Sequence, residues 1–413
     1  MSREILVLGA GMVGVSVAWH LQQRGHQVTL VDRNTPGRET SFGNAGLIQR
    51  EAVRPYAFPR DLKTLLRVLP NRDIDIRYQM GGLFKFAGPL LRYWNQSTPS
   101  RYARIVPEYA ALIEQSLDTH AEMIRAAKAE SLMSQDGYIE VFRSSRALAA
   151  GQQMADEVQT HFGVTHQTLD AAALARMEPG LTRDLVGGIH WTQPWNASSP
   201  GGLVAAYALA FQQAGGQWLQ AELHSLEPHQ SGWQACAGQD RIQAEQVVVA
   251  LGPWSTDWLK KLDIALPLFV KRGYHMHYAN AEQTPLKHWL LDSEVGYVLA
   301  PMQTGIRLTS GAELATLDAK RRYQQLEAAE NAARRFFPLG ERLDAEPWMG
   351  GRPCMPDMKP VIGPSHKHPG LWLAVGHGHQ GFTLGPATGK LLGQMMDGET
   401  PDIDMHPYRV ERF

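Results

Sequence analysis

Two stretches carry residues whose types and spacing suit chemistry. Gly9, Gly11 and Gly14 stand in the order G-x-G-x-x-G, and Asp32 follows at the end of the next apolar run. In such a set the first glycine allows a tight turn, the second lets backbone approach a pyrophosphate, and the third lets a helix pack close to a strand. Free N–H groups and the dipole at that helix start attract phosphate, while an acid in the place of Asp32 meets ribose hydroxyls. An adenine dinucleotide is the predicted ligand. Near the other end lies "VGHGHQGFTLGPATGK", from Val375 to Lys390. His377 and His379 have H-x-H spacing, but no third ligand with convincing spacing accompanies them, so no metal is expected. The same glycine turn feeding a helix suits an anionic ligand instead.

These residues need elements to hold them. "REILVLGAGMVGVSVAWHLQQRG" reads as strand, turn and amphipathic helix, and "QVTLVD" as a second strand ending in Asp32. "TSFGNAGLI" (Thr40–Ile48) is a small, glycine-rich loop of the kind laid along a cofactor. Residues 60–94 mix bulky apolar and basic residues, either as helices over an active site or as a membrane-surface patch. Apolar residues at helical spacing predict a helical region over about 102–129. "GYIEVF" is a strand, a helix runs over about 201–214, and the buried strand Val247–Leu251 is ended by Gly252 and Pro253. From about 266 the pattern is alternating strands with one helix near 319–336, before a final strand, glycine turn and helix.

The expected fold is α/β. A Rossmann-type dinucleotide domain is assembled from discontinuous segments, 1–60, 196–265 and 346–413. An α+β substrate domain with a mixed or antiparallel sheet takes 61–195 and 266–345. A β-rich domain between the two glycine turns suits FAD better than NAD, with the adenine half on the first unit and the flavin between domains.

Composition narrows the function. The chain has 413 residues, 44% hydrophobic and 20% charged, as a folded globular protein does. Its net charge of −1 includes no basic block, so no nucleic-acid partner is expected. Cys236 and Cys354 are the only cysteines, too few for a zinc ribbon, an iron–sulfur centre or a disulfide scaffold. No apolar run approaches the ~20 residues of a spanning helix. With the N-terminus opening directly into a strand, a cytoplasmic protein is expected, with peripheral contact at the inner membrane face as the alternative.

In order along nearly the whole chain, "GAGMVG" with Asp32, "TSFGNAG", "VVVALGPWS", "GYVLAP", "GGRPCMPDMKPVIG" and "GHGHQGFTLGPATG" resemble the D-amino-acid oxidase and dehydrogenase family of FAD-dependent oxidoreductases. The resemblance implies cofactor contacts from Gly9, Gly11, Met12, Val13, Gly14, Asp32 and Arg33. It implies further contacts from Ser41, Asn44, Ala45, Gly46 and Leu47, and from Leu223, Ala250, Gly252 and Trp254. Gly378, His379, Gly381, Phe382 and Thr383 complete the set. The helix after the second glycine turn would aim its N-terminus at the flavin C2 carbonyl and favour the reduced form. Thr383 stands where sarcosine-oxidising members carry a lysine. Members with covalent flavin carry a cysteine where this chain has Gly350, so noncovalent FAD is expected.

The implied reaction is oxidation of a D-amino acid, with hydride passing from Cα to flavin N5. The imine then hydrolyses to a keto acid and ammonia, or persists as a cyclic imine from a proline-type substrate. Arg352 matches the family's carboxylate clamp, for which a planar fork is suited. Tyr297 would reach the same carboxylate, His379 would contact substrate, and Tyr274 would form pocket wall or lid. Phe84, Phe86, Tyr93 and Trp94 point to an apolar pocket. The absent lysine favours a dehydrogenase delivering electrons to a quinone or an electron-transfer protein over an oxidase using O2. A flavin oxidase of glycine, sarcosine or other secondary amines is the enzyme alternative. A noncatalytic FAD-binding subunit of a larger complex is the alternative of another class.

Overall fold

The computed structural model describes residues 2–182, 184–230, 232–281 and 285–413. Glu4–Leu8 lies at the centre of a six-stranded sheet, paired in parallel with Gln27–Asp32 on one side and Gln246–Val249 on the other. Gln217–Gln220 extends one edge, and Leu371–Val375 followed by antiparallel Val361–Pro364 extends the other. The unbroken apolar runs of the central strands reflect burial on both faces. Ile5, Val7 and Val248 pack with the helices Met12–Gln23, Pro200–Gln213 and Gly381–Met396. Leu6, Leu8, Val247 and Val249 pack with an antiparallel sheet of Leu223–His229, Gly232–Ala237 and Asp240–Ala244.

The two helices that follow glycine turns are pressed together. A Cβ on Gly385 would come within 2.6 Å of Met12 Cγ, and one on Gly389 within 2.6 Å of the Ser16 carbonyl oxygen. One turn apart, these glycines clear a stripe that brings both helix N-termini to one cavity.

The second layer is an eleven-stranded, largely antiparallel sheet organised on the long strand Phe269–Asn280. One face packs on the helix Gln324–Ala333 and its continuation, through Tyr274, Met276, Leu299, Leu308, Leu326 and Phe337. The other face turns toward the dinucleotide unit. Trp348–Cys354 pairs along Phe269–His275 in this sheet, so the boundary expected at residue 346 falls inside the second layer. The chain returns to the first sheet only after Cys354. The helical region expected over about 102–129 consists of two helices, Pro99–Glu114 and Ser116–Ala127, and the second packs against Pro200–Gln213 and Gly381–Met396. Among the described residues no helix is long and apolar enough to cross a membrane.

Candidate active site

A cavity of about 1130 Å³ runs from the C-terminal end of Glu4–Leu8, past Gly11 and Ser41, to the space between the two sheets. That exceeds the ~300–1,000 Å³ of an ordinary ligand pocket, leaving room for a cofactor and a substrate. At the outer end Asp32 is aimed by two backbone donors. Its Oδ2 accepts from Ala10 N at 2.7 Å and its Oδ1 from Asn34 N at 3.0 Å. Burial raises its pKa above the usual carboxylate range. The Arg33 guanidinium lies 4.5 Å over the Trp254 ring.

Two positions of the fingerprint turn admit only glycine. Gly9 has φ +106°, and a Cβ there would sit 2.5 Å from the Ala250 carbonyl oxygen. A Cβ on Gly14 would fall 1.8 Å from the Gly9 carbonyl oxygen, whereas one on Gly11 would point into open space 3.5 Å from Ser41 Oγ. Helix Met12–Gln23 starts at Gly11 with no acid in its first turn, and its Met12 N donates to Ser41 Oγ at 3.0 Å. An open cradle at this helix start, beside an oriented acid, fits a dinucleotide pyrophosphate and ribose. Every residue expected along the cofactor lines this cavity except Gly14, Gly46 and Thr383. Gly14 packs beneath the turn and Gly46 against Ala197.

At the inner end Arg352 and Lys271 are directly opposite across paired strands, on the cavity face. Gly273 leaves the space that the guanidinium fills, since a Cβ there would lie 2.6 Å from Arg352 Nη2. Arg352 Nη1 donates to Gly311 O at 3.1 Å, and Lys271 Nζ donates to Tyr93 Oη at 3.3 Å. Among the described residues neither cation has a carboxylate within ion-pair distance. Burial lowers the Arg352 pKa, yet a guanidinium stays charged at any physiological pH. Two adjacent cations without an internal anion form a receptor for one.

Acids line the same end. Tyr138 and Glu140 alternate onto the cavity face of one strand, and Glu51 approaches from the segment after Ile48. Burial pushes Glu51 up to about 7 and raises Glu140 as well. Tyr56, with 60% of its surface open, lies near Glu51, Arg352 and Glu140 together. Its ring lies 5.0 Å from that of His379. Burial, Arg352 and Lys271 hold His379 neutral. His377 is neutral too, with a pKa of about 3 from burial, and its Nε2 pairs with Thr388 Oγ1 at 2.9 Å. No cluster of His, Cys, Asp and Glu fit to hold a metal occurs among the described residues.

Several side chains stand elsewhere than the sequence placed them. Tyr274 lies on the far face of the long strand, where its hydroxyl donates to Glu313 Oε2 at 2.7 Å. Glu313 is itself paired with buried Arg272 at 2.6 Å. Tyr297 shares that face, with its ring 6.0 Å from Phe336 and its hydroxyl toward Asp292 and Arg143. Strand alternation turns Gly273 and Val298 to the cavity side instead. Both residues still border the cavity, with the Tyr274 hydroxyl engaged by Glu313; Tyr56 and Tyr138 are the tyrosines beside the acids.

Phe84 is 76% exposed and Trp94 40% exposed, so they do not build an apolar pocket. Phe86 is core, and of the four only Tyr93 lines the cavity. The Thr383 hydroxyl does not face the cavity either. It donates to Gln380 Oε1 at 2.7 Å and accepts from Gln49 N at 3.2 Å. The uncapped N-terminus of Gly381–Met396, rather than this hydroxyl, is what a ligand meets.

Sequence reasoning missed Lys271, Glu51, Tyr56, Tyr138, Glu140 and Arg307. Arg307 Nη1 donates to the carbonyls of Phe42 at 2.9 Å and Asn44 at 2.6 Å, tying the loop Thr40–Ile48 to the second sheet. Alternation in "FVKRGYHMHY" could have flagged Lys271, since an exposed strand edge was no better explanation for a lysine among apolar neighbours. Glu51 and Tyr56 fall in irregular chain that carries no pattern.

The family described as FAD dependent oxidoreductase (DAO) matches residues 4–395. A D-amino acid dehydrogenase of Chromohalobacter salexigens is 29% identical over 428 aligned positions, spanning 99% of each chain. Glycine oxidase from Geobacillus kaustophilus superposes with a TM-score of 0.74 at 19% identity, covering 100% of this chain and 99% of that one. L-Proline dehydrogenase from P. horikoshii does so with a TM-score of 0.72 at 16% identity, covering 100% and 98%. These two likenesses concern the fold.

Proposed function

This chain belongs to the DAO family of FAD dependent oxidoreductases, and from that premise we propose that it is a D-amino-acid dehydrogenase holding FAD without a covalent bond. The observation that carries the reading is the pair Arg352 and Lys271, cations without a described carboxylate partner, in one cavity with the dinucleotide fingerprint. The D-configuration and the dehydrogenase assignment follow the relatives of matching length. Bound FAD supplies the two-electron oxidant. The chain's own residues do the rest, mainly by positioning. Arg352 offers its fork and Lys271 a point charge to the substrate carboxylate, while Glu51 and Glu140 receive the amine. Noncovalent attachment is supported by Cys354, a buried thiol whose pKa burial raises, which makes it a poor nucleophile.

The electron acceptor is an apolar quinone met at a membrane surface. Around the helix Leu62–Val68, which has no buried residue, Leu62, Leu66, Leu69, Met80, Phe84 and Leu91 are 58–76% exposed. Lys63, Arg67, Arg72, Lys85 and Arg92 are exposed beside them. Leu65, Val68 and Leu69 also line the cavity, so the patch stands at its mouth. Bulky apolar groups ringed by cations suit an anionic bilayer interface. Leu66→Glu with Phe84→Glu is expected to cut co-sedimentation with phosphatidylglycerol vesicles at least about tenfold, since burial of each side chain contributes roughly 1.5–3 kcal/mol. Oxidation with a soluble dye acceptor should be unchanged. Equal vesicle binding by the double variant would remove the membrane role.

The direct test of the reaction is anaerobic mixing of the flavin-loaded protein with D-, L-, cyclic and N-methyl amino acids while following flavin absorbance. Bleaching by D-amino acids and slow reoxidation in air are expected. Absence of bleaching by any amino or imino acid would refute amino-acid oxidation.

A further inference from the structure

We propose that Glu51 is a catalytic base that takes the proton from the substrate ammonium group, and that Gln49, Gln380 and Thr383 position it for this. The inference rests on the amino-acid oxidation reading above. Forming a C=N bond needs the nitrogen lone pair, and an amino acid at neutral pH arrives with that pair protonated. A cavity offering only cations would have to wait for the scarce free amine.

Glu51 is only 8% exposed and lines the cavity. Its Oε1 accepts from Gln49 Nε2 at 2.6 Å, whereas its buried Oε2 makes no hydrogen bond of good geometry, with the Tyr138 hydroxyl the donor beside the carboxylate. A buried carboxylate oxygen without a well-aligned donor is costly and persists where a ligand supplies one. The Oε1 side is fixed by a chain with a single direction. Thr383 Oγ1 donates to Gln380 Oε1 at 2.7 Å, and Gln380 Nε2 donates to Gln49 Oε1 at 2.8 Å. The Gln49 amide then donates to Glu51. The chain starts in the first turn of Gly381–Met396, so the helix end and the carboxylate are held as one unit.

The groups facing Glu51 are Tyr138 and Glu140 from the neighbouring strand and Tyr56 from its own segment. Arg50 and Arg54, flanking it in sequence, are paired with Glu114 at 3.1 Å and Glu157 at 3.0 Å. No cation of its own segment therefore neutralises Glu51. Burial lifts its pKa to about 7, which matches a base working near neutrality.

The proton transfer to Glu51 changes no oxidation state, and the oxidation that follows moves two electrons. An N–H bond of the ammonium breaks, its proton forms an O–H bond at Glu51 Oε2, and the pair left on nitrogen becomes the second C=N bond as the α-hydrogen departs with its own electrons. The oxidant for that departure is the FAD of the family.

The test uses flavin-loaded wild type and the variants Glu51→Gln and Glu51→Asp. Anaerobic bleaching rates are measured from pH 5.5 to 10 with a D-amino acid that the wild type oxidises. The wild-type rate is expected to fall tenfold per pH unit below about 7 and to level off above it. Glu51→Gln should be slower by about 100-fold at pH 7, the lower range for a general base. Its rate should climb tenfold per unit toward the amine's own pKa. Glu51→Asp should keep a shifted form of the wild-type profile. Binding of benzoate, a carboxylate without an amine, should be unchanged in Glu51→Gln when read from the flavin spectrum. A wild-type pH profile in Glu51→Gln would overturn the proposal, and so would loss of benzoate binding in proportion to rate, which marks a structural role. Wild-type flavin that no amino acid bleaches is a different result, overturning amino-acid oxidation and this step with it.

Discussion

Arg352→Ala is expected to lower kcat/KM for the preferred amino acid by roughly 2–5 kcal/mol, or about one and a half to three and a half orders of magnitude, the cost of truncating one partner of a buried ion pair. The guanidinium spends one N–H on Gly311 O. The guanidinium fills the space that Gly273 leaves, and no carboxylate is paired with it among the described residues. Benzoate affinity should fall in parallel, because the loss is of carboxylate capture. Flavin content should stay normal, since Arg352 is on the second sheet and the fingerprint on the first. Arg352→Lys restores charge without the bidentate fork and should recover only part of the loss. Lys271, opposite on the neighbouring strand, can partly hold the same anion. Lys271→Met combined with Arg352→Ala should therefore depart from additivity, as contacting residues do. Near-normal kcat/KM and benzoate binding in Arg352→Ala would remove the clamp.

The second large effect separates packing from ligand space in the fingerprint. Gly14→Ala is expected to yield little folded, flavin-bearing protein. Its Cβ would lie 1.8 Å from the Gly9 carbonyl oxygen, and a backbone atom between strand and helix cannot swing aside. The cost should exceed the ~1–3 kcal/mol of ordinary overpacking. Gly11→Ala should behave differently. Its Cβ meets nothing nearer than Ser41 Oγ at 3.5 Å, so the chain should fold with near-normal secondary structure and purify colourless or nearly so. Flavin-to-protein absorbance ratios and thermal melts of both variants decide the matter. Full flavin content in Gly11→Ala would remove the pyrophosphate from that turn.

What the sequence by itself determined is local in origin. The spacing of Gly9, Gly11 and Gly14 and the position of Asp32 encode a turn that requires glycine at its first and third positions, and an acid at a strand end. Both can be written within one strand–helix–strand unit. The return of a glycine turn before Gly381–Met396 is legible for the same reason, and the order of motifs along the chain identified the family. The motif around Arg352 singled it out as a candidate clamp, and it lines the cavity.

The tertiary structure decided what depends on which face of an element meets which neighbour. Alternation in "KRGYHMHY" and "GYVLAP" is visible in the sequence, but the side that faces the cavity is not. Tyr274 and Tyr297 therefore border the cavity with their rings packed into the core of the far face, while Lys271 and Gly273 turned into it. Trp348–Cys354 joined the second sheet because its partner strand is some eighty residues earlier in the chain, a pairing that no local pattern records. Glu51, Tyr56 and the chain from Thr383 come together from irregular segments and a helix end more than three hundred residues apart. Their chemistry comes from burial and mutual approach, and a side chain's burial is fixed only when the whole chain has packed.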